Sequence, residues 1–573
     1  MTTQPVHPLG VRARVLLTSV FGPFAQDDEY GSRTVNPMEL YHNQVTRVQG
    51  AFSLRMFHRS FGLMFIQANL KGPCTLLDFP TLDRFLEEIQ QHRYDVIGIS
   101  GIIPNVGKVK KMCELIRRHS PSTTIVVGGH VVNHPTIETT VDADHLVKGD
   151  GIRWFRRYLK QDEDAPVRHP RSLSGFNSRI MGHDITDKPE DTAAILIPSV
   201  GCPVGCNFCA TSALFGGKGN FINFYETGDE LFRVMVDLET DLGVNSFFVL
   251  DENFLLHRKR ALRLLELMEA HDKSWSLCVF SSARVIQSYT MEQLTGLGVS
   301  WVWMGLEGEG SRYRKLNDVD TFDLVRTLQS NGIRALGSSI IGLEEHTPEN
   351  IDAAVDYAVA HDTVFHQFML YTPMPGTPLY ESHKQKGTLI PDFPAADTHG
   401  QYRFNYRHAA IRDGAEEGYL LGAFQKDFET NGPSLARMIR VMLDGYQKYG
   451  AHPDPRIRRR ILGESAPLQT TYAGAVWAMK AHYKDNPLMR GKMATLLQDL
   501  YAAFGLRTRL AAPVVGTYLG RKLRKEARRL ENGWTPEPTC FYEDNPAAAD
   551  LKSSAPSRIE QPATLVPAPT STQ

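Results

Sequence analysis

Twice along this chain, short apolar runs alternate with stretches of helical period, and that repeated alternation limits the fold more than any other feature. In the first series, residues 12–20, 62–70, 94–100 and 123–129 are apolar runs, with helical patterns at 81–91 and 105–119. Such runs, bounded by turn residues, read as buried strands. Strands alternating with helices predict a parallel, doubly wound sheet that takes ligands at the carboxyl ends of its strands. Those ends hold Ser100-Gly101, Gly128-Gly129-His130 and Gly149-Asp150-Gly151. Small residues there let a large planar ligand approach the backbone, although ordinary tight turns have the same composition.

A polar stretch, 161–190, reads as a linker. The second series then places strands at 193–200, 246–250, 276–281, 301–306, 335–341 and 365–371. Thr227-Gly228-Asp229-Glu230 reads as a capping box, and Thr347-Pro348-Glu349 as a cap followed by proline at the first helical position. Gly332 sits where a helix over 321–331 should end. Six strand–helix units suggest a partial barrel of parallel strands, with its reactive face at their C-terminal ends. From about 405 to 535 the pattern is helical, with segments at 414–430, 434–449 and 488–504. The residues from Pro546 onward are rich in Ala, Pro, Ser and Thr and read as a disordered tail.

At 573 residues the chain is long enough for two or three domains, and its formal net charge of −1 argues against a nucleic-acid binder driven by charge. Its seven cysteines are irregularly spaced apart from one group, which points to a reducing compartment rather than a disulfide framework. The N-terminus lacks a signal-peptide apolar core, and no run suffices for a spanning helix, so a cytoplasmic location is expected.

The exceptional group is Cys202, Cys206 and Cys209, in Gly201-Cys202-Pro203-Val204-Gly205-Cys206-Asn207-Phe208-Cys209, directly after the first strand of the second series. Three thiolates at this spacing select an iron–sulfur cluster or zinc. Four thiolates are the full ligation of a [4Fe–4S] cluster, so three leave one iron open to a substrate or cofactor. The alternative is a zinc site with a fourth ligand such as His257.

This loop, at the end of the first strand of six units and with an aromatic residue before its last cysteine, resembles that of the radical S-adenosylmethionine (SAM) superfamily. The resemblance implies that the open iron chelates SAM and that reductive cleavage releases a 5′-deoxyadenosyl radical able to abstract hydrogen from an unactivated carbon. It also implies cofactor contacts on successive strand ends. Glu252, in Asp251-Glu252-Asn253, would meet the SAM amino group, and Arg284 a carboxylate. Glu307 would meet ribose hydroxyls, Ile340 with Gly342 would pack against the adenine, and backbone atoms around Pro375 would meet the adenine edge. An external electron donor such as flavodoxin or ferredoxin is implied as well.

The first series resembles the cobalamin-binding domain fused to many radical SAM proteins. Ser100, Gly101, Gly128, Gly129, His130 and Gly149 are the positions this resemblance assigns to the cofactor. The D-x-H-x-x-G motif that supplies a histidine to cobalt elsewhere is absent, and Ser19-Val20-Phe21-Gly22-Pro23 stands in its place. The fold class expected is α/β. It comprises a Rossmann-like cobalamin-binding-type domain over 1–165, a linker over 166–190, a partial (β/α)6 TIM-type barrel over 191–400, a helical domain over 401–545 and the tail over 546–573.

In the C-terminal third, Arg456, Arg458, Arg459 and Arg460 form one basic group. Arg521, Lys522, Arg524, Lys525, Arg528 and Arg529 form another, interleaved with Leu519, Leu523 and Leu530. The second pattern is compatible with peripheral contact at an anionic membrane face, although a charge run is more often a solvated helix packed on its own domain. The reaction expected is cobalamin-dependent methylation of a hydrophobic small molecule, such as a lipid, isoprenoid or natural product. Radical cyclisation or carbon–carbon coupling, and a non-enzymatic iron–sulfur redox or sensor protein, are the alternatives.

Overall fold

The computed structural model describes residues 5–22, 29–30, 39, 41–185, 192–308, 316, 319–534 and 539–552. Its strands in chain order begin with β1 (Val15–Ser19), β2 (Arg55–Phe57), β3 (Cys74–Asp78), β4 (Val96–Ser100), β5 (Thr124–Gly128), β6 (His145–Val147), β7 (Phe176–Ile180) and β8 (His183–Asp184). They continue with β9 (Ala194–Leu196), β10 (Ser199–Val200), β11 (Ile222–Asn223), β12 (Ser246–Val249), β13 (Ser276–Phe280), β14 (Val299–Glu307), β15 (Arg334–Ile341), β16 (Phe365–Leu370) and β17 (Phe541–Asp544).

The first sheet runs β17-β3-β1-β4-β5-β6. Its five N-terminal strands are parallel, and β1 pairs with β3 on one side and β4 on the other. The chain therefore changes winding direction beside β1, the doubly wound arrangement that opens a crevice at the strand ends. All five residues of β1 are buried because helices cover both faces: Leu16 packs with Phe85 and Ile89, whereas Val15 and Leu17 pack with Leu63 and Phe155. That two-sided burial is why the strand reads as an unbroken apolar run.

Residues 62–70, expected to be a strand, instead contain the helix Phe61–Ala68, and the strand is β3 further on. The helix is apolar nearly all round because it lies between two bodies. Leu63 packs under the first sheet, while Phe65 stacks on Phe224 beside the second. A buried helix of this kind has no polar face from which its period could be read.

The stretch read as a linker also carries structure. β7 and β8 join β2 in a three-stranded antiparallel sheet, and residues 186–191 of that stretch lie outside the described residues.

The second sheet runs β16-β15-β14-β13-β12-β9 in sequential order, and every pairing is parallel. Its outer face packs on the helices through Leu231, Met235, Leu264, Leu294 and Leu328. On the other face Phe248, Phe280 and Trp303 pack in succession at centroid separations of 5.8 and 5.0 Å, and Trp301 stacks on Phe365 at 5.5 Å. Tyr41 and His58, from the segment around β2, lie against these rings. The helix expected to start at Thr347 begins at Ile351, because Thr347 takes part in a turn in which its N–H donates to the Asn350 side chain at 2.7 Å.

The C-terminal third contains the helices Ala415–Asn431, Ser434–Tyr449, Pro455–Ser465, Thr471–His482 and Pro487–Glu531. The chain then returns to the first sheet, where β17 pairs antiparallel with β3. Part of the stretch expected to be a disordered tail, Pro546–Lys552, is helical, and the remainder lies outside the described residues.

Candidate active site

β10 follows β9 at once and pairs antiparallel with β11, pinching the chain between them into a closed loop. Within that loop Gly205 has φ 64, and a Cβ there would lie 2.4 Å from the Lys218 Cα. Only glycine permits this backbone and this approach. The three cysteines sit here, half-buried. The Cys209 N–H donates to the Cys206 carbonyl at 3.1 Å, and the Ser212 hydroxyl donates to the Cys202 carbonyl at 2.9 Å. Cys209 also caps the short helix Ala210–Leu214, its sulfur accepting from the Ser212 N–H at 3.4 Å. Burial pushes the Cys202 thiol up to about 11, opposed by a backbone N–H from Val204 and reinforced by the other two thiols and Glu252. A thiol in this state needs a metal to displace its proton.

Among the described residues, no three His, Cys, Asp or Glu side chains converge as a single ion would require. A four-iron cluster asks for less convergence, since each thiolate takes a different iron. Three coupled thiols on one loop fit that requirement.

The loop is braced from the far side of the second sheet. Phe208 packs with Ile340, Leu343, Tyr371 and Leu379, and the Leu379 N–H donates to the Asn207 carbonyl at 3.0 Å. The cysteine motif is thereby tied to the ends of β15 and β16.

The turn after β12 is pinned by its neighbours. Asp251 accepts from the Ser199 hydroxyl at 2.5 Å and from Arg260 at 2.6 Å. The Asn253 side chain accepts from the Ser281 hydroxyl at 2.9 Å and the Ser282 N–H at 3.2 Å. Glu252, between them, faces a cavity. Burial pushes its carboxyl up to about 7, opposed by its own backbone N–H and that of Gly201, with Asp251 raising it further. Its Oε2 is buried without a hydrogen-bond partner. A buried acceptor without a donor is costly, and an ammonium group would satisfy it.

That cavity, about 430 Å³, has two walls from two sheets. One wall is Ser100, Gly128, Gly129, His130 and Gly149 at the ends of β4, β5 and β6, and the other includes Glu252, Leu250 and Thr211. At Gly149, with φ 86, nothing lies within 4 Å of where a Cβ would point. The backbone is thus bare where a flat ligand would lie, a cradle that side chains would fill. Burial lowers the His130 pKa, which favours its neutral ring.

Of the other positions singled out from sequence, Gly101 is not part of the lining. Its N–H donates to the Gly128 carbonyl and its own carbonyl accepts from the Val131 N–H, so it shapes the turn beneath. Gly342 meets protein: a Cβ there would lie 2.3 Å from the Phe404 ring. Arg284 is exposed in the helix Ala283–Gln287, outside the cavity lining. Glu307 is buried with φ 54, at the point where the register between β14 and β15 slips. A bulky residue held there is strained, a condition typical of functional strand ends. Pro375 is buried, and its neighbour Gly376 abuts the first domain, with a Cβ position 2.9 Å from Asn133 Cγ. Sequence reasoning missed the wall formed by Phe61, Phe65 and Ile66 of the helix mistaken for a strand. The one signal for it was the length of that apolar run, which a helix accommodates as well as a strand.

The family model described as the B12 binding domain matches residues 52–157, and that of the Radical SAM superfamily matches residues 196–358. An uncharacterized methyltransferase of Pyrococcus horikoshii is 26% identical over 324 residues, 50% of this chain and 69% of that one. The bacteriochlorophyllide d C-8(2)-methyltransferase of Chlorobaculum tepidum is 24% identical over 371 residues, 58% of this chain and 79% of that one. The hopanoid C-2 methylase of Rhodopseudomonas palustris is 24% identical over 316 residues, 52% of this chain and 59% of that one. A solved structure of the radical SAM methyltransferase TsrM from Kitasatospora setae has a TM-score of 0.49 at 16% identity, covering 78% of this chain and 99% of that one. The chain is an enzyme of the radical SAM superfamily, of the kind that carries a B12-binding domain, and its cofactors are a [4Fe–4S] cluster, SAM and cobalamin.

Proposed function

We propose that this enzyme transfers a methyl group to an unactivated carbon of an apolar small molecule. Cobalamin would lie on the bare strand ends of β4, β5 and β6, and SAM between the cysteine loop and Glu252. The observation that carries the reading is the shared cavity, with glycine backbone on one wall and Glu252 beside the cysteine loop on the other. When bound, the cluster and SAM supply a hydrogen-abstracting radical, and cobalamin supplies a methyl carrier.

The protein's own residues position and enclose. Glu252 accepts an ammonium group, and its neighbours Ser199, Arg260 and Ser281 keep the turn from moving. Glu307 offers its carboxylate to hydroxyls at the end of β14. Ile340 and Phe208 form an apolar brace behind the loop, and Pro375 closes the far edge. Phe61, Phe65, Ile66 and Leu214 make the cavity wall apolar, which excludes water and suits a hydrophobic substrate. Two of the relatives are named for methylating a bacteriochlorophyllide and a hopanoid. In this reading residues 191–400 are a partial (β/α)6 barrel, flanked by the cobalamin unit over 1–165 and a helical unit over 401–545 whose strand β17 belongs instead to the sheet of the first unit. An external flavodoxin or ferredoxin delivers the electrons.

The test is anaerobic reconstitution with iron, sulfide and hydroxocobalamin, followed by SAM carrying a labelled methyl group and an apolar cell extract. Label in the extract together with 5′-deoxyadenosine is the expected result. Formation of 5′-deoxyadenosine without label transfer by cobalamin-loaded enzyme would replace methylation with cyclisation or coupling. A cluster that never binds or cleaves SAM would leave only a redox or sensor role.

A further inference from the structure

The long helix Pro487–Glu531 presents one patterned face to the protein and another to solvent. Beyond Gly505, whose φ of 71 and ψ of −148 break the helix, the buried residues are Thr508, Ala512, Gly516, Leu519, Leu523 and Glu526. Their three- and four-residue spacing makes one stripe. The stripe is locked in place. A Cβ on Gly516 would lie 2.8 Å from the Gly474 carbonyl oxygen, so two helix backbones meet there. Glu526 accepts from Arg179 twice, at 2.7 and 2.6 Å. Leu519 and Leu523, which from sequence pattern would form a membrane-facing side, are 5% and 2% exposed and belong to this inner stripe.

The outer face is therefore a fixed feature of the fold. Leu506, Leu510 and Val514, four residues apart, are 71%, 65% and 73% exposed, and Tyr518 one turn on is 51% exposed. This spacing stacks the side chains on one side of the helix. Further along the same side come Arg521, Arg524, Lys525 and Arg528, all exposed and without an ion pair among the described residues. With Arg529 and Asn532 they line a hollow of about 500 Å³. Between Asp499 and Glu526 the chain has no acidic residue.

We infer that this face docks the enzyme on the surface of an anionic lipid bilayer. Leu506, Leu510 and Val514 enter the boundary of the acyl region, and the bases beside them meet lipid phosphates. Free phosphate would satisfy the basic hollow but not the aliphatic ridge, and a nucleic acid has no use for three exposed aliphatic side chains. A lipid surface satisfies both at once. No helix among the described residues is long and apolar enough to cross a membrane, so the contact lies along the surface. The inference is independent of the reaction catalysed.

The test uses the full chain, cofactor-reconstituted, in sedimentation with vesicles of phosphatidylcholine alone or with about 30 mol% phosphatidylglycerol, the anionic lipid that the basic residues require. Binding to the anionic vesicles only is expected. Exchanging Arg521, Arg524, Lys525 and Arg528 for Ser should weaken it about a hundredfold or more. Exchanging Leu506, Leu510 and Val514 for Ser should weaken it about tenfold or more. Salt at about 0.5 M should mimic the first variant, because it shortens the reach of charge attraction. Circular dichroism and the thermal midpoint should stay unchanged, since all seven side chains are exposed. Equal binding to both vesicles, binding to neither, or indifference to both variants would overturn the inference. So would light scattering in which the aliphatic variant splits a dimer while vesicle binding persists, or a basic hollow that binds RNA and not vesicles.

Discussion

The two six-stranded sheets present their ligand-facing ends in opposite ways. In the first, the ends of β4, β5 and β6 are glycine and backbone, shaped by a change of winding beside β1. In the second, strands in sequential order end in charged or apolar side chains, among them Glu252 and Glu307, and a cysteine loop follows the first strand. A bare backbone suits a large flat cofactor that needs room. Side chains suit a small charged one whose functional groups must be matched individually. The ends of β4, β5 and β6 and those of β9 and β12 face one cavity, so the division of labour is between its walls.

The largest effect that would test this division comes from the cysteines. Replacing Cys202, Cys206 and Cys209 by Ala should abolish SAM cleavage while leaving cobalamin content near normal. Loss of both cofactors together would mean that the two walls do not act separately. Next is Glu252→Gln, which keeps the shape and removes the charge. SAM affinity should fall roughly 10- to 100-fold, the range for a charge-assisted hydrogen bond, as read by equilibrium dialysis. An unchanged affinity would remove Glu252 from the SAM site.

Gly128→Val addresses the other wall. The Cβ would meet only the Val147 carbonyl, at 3.7 Å, so the fold should survive while the cradle fills. Cobalamin retained after reconstitution should drop about tenfold with 5′-deoxyadenosine formation retained. Normal cobalamin content would place the corrin elsewhere.

The smallest effect concerns Glu39, which pairs with Arg55 at 3.3 Å. Burial pushes the Glu39 carboxyl up from 4.5 to about 7, with Arg55 opposing. A carboxyl raised on folding binds its proton more tightly in the folded chain. Its stabilisation is therefore complete below pH 4.5 and is lost as pH rises through about 7. Thermal unfolding of the cofactor-free chain should show stability falling by about 1 kcal/mol or more over that window, with a flatter profile for Glu39→Gln. An identical profile in the variant would remove Glu39 as the cause.

Sequence and structure agree best where a residue's own chemistry sets its place. The capping box at Thr227 and Glu230 forms as expected, because its hydrogen bonds are local. Each of the six runs of the second series overlaps a strand of the second sheet, since packing of each strand in the apolar core leaves a legible apolar stretch. The contrast is with positions whose surroundings come from far along the chain. Gly342, at φ 77, is held against the ring of Phe404, sixty-two residues later, a neighbour that its own stretch of sequence does not announce. Phe61–Ala68 looks like a strand because its polar face was replaced by a second body. Leu519 and Leu523 give the correct helical stripe but cannot say which side of it the protein occupies.

One strand carries a consequence for how the protein is made. β17 completes the edge of the first sheet by pairing with β3, joining residues 541–544 to residues 75–78. Synthesis runs from the N-terminus, so that sheet carries an open edge until almost the whole described chain has left the ribosome. An open edge is a template for pairing with another chain. Products that lack residues 541–544 thus expose the five-residue edge of β3, which the four-residue strand β17 otherwise occupies. The sheet whose strand ends wall the cavity is joined by β17 long after its other strands have emerged, which makes the arrival of β17 a checkpoint for the exposed edge of β3.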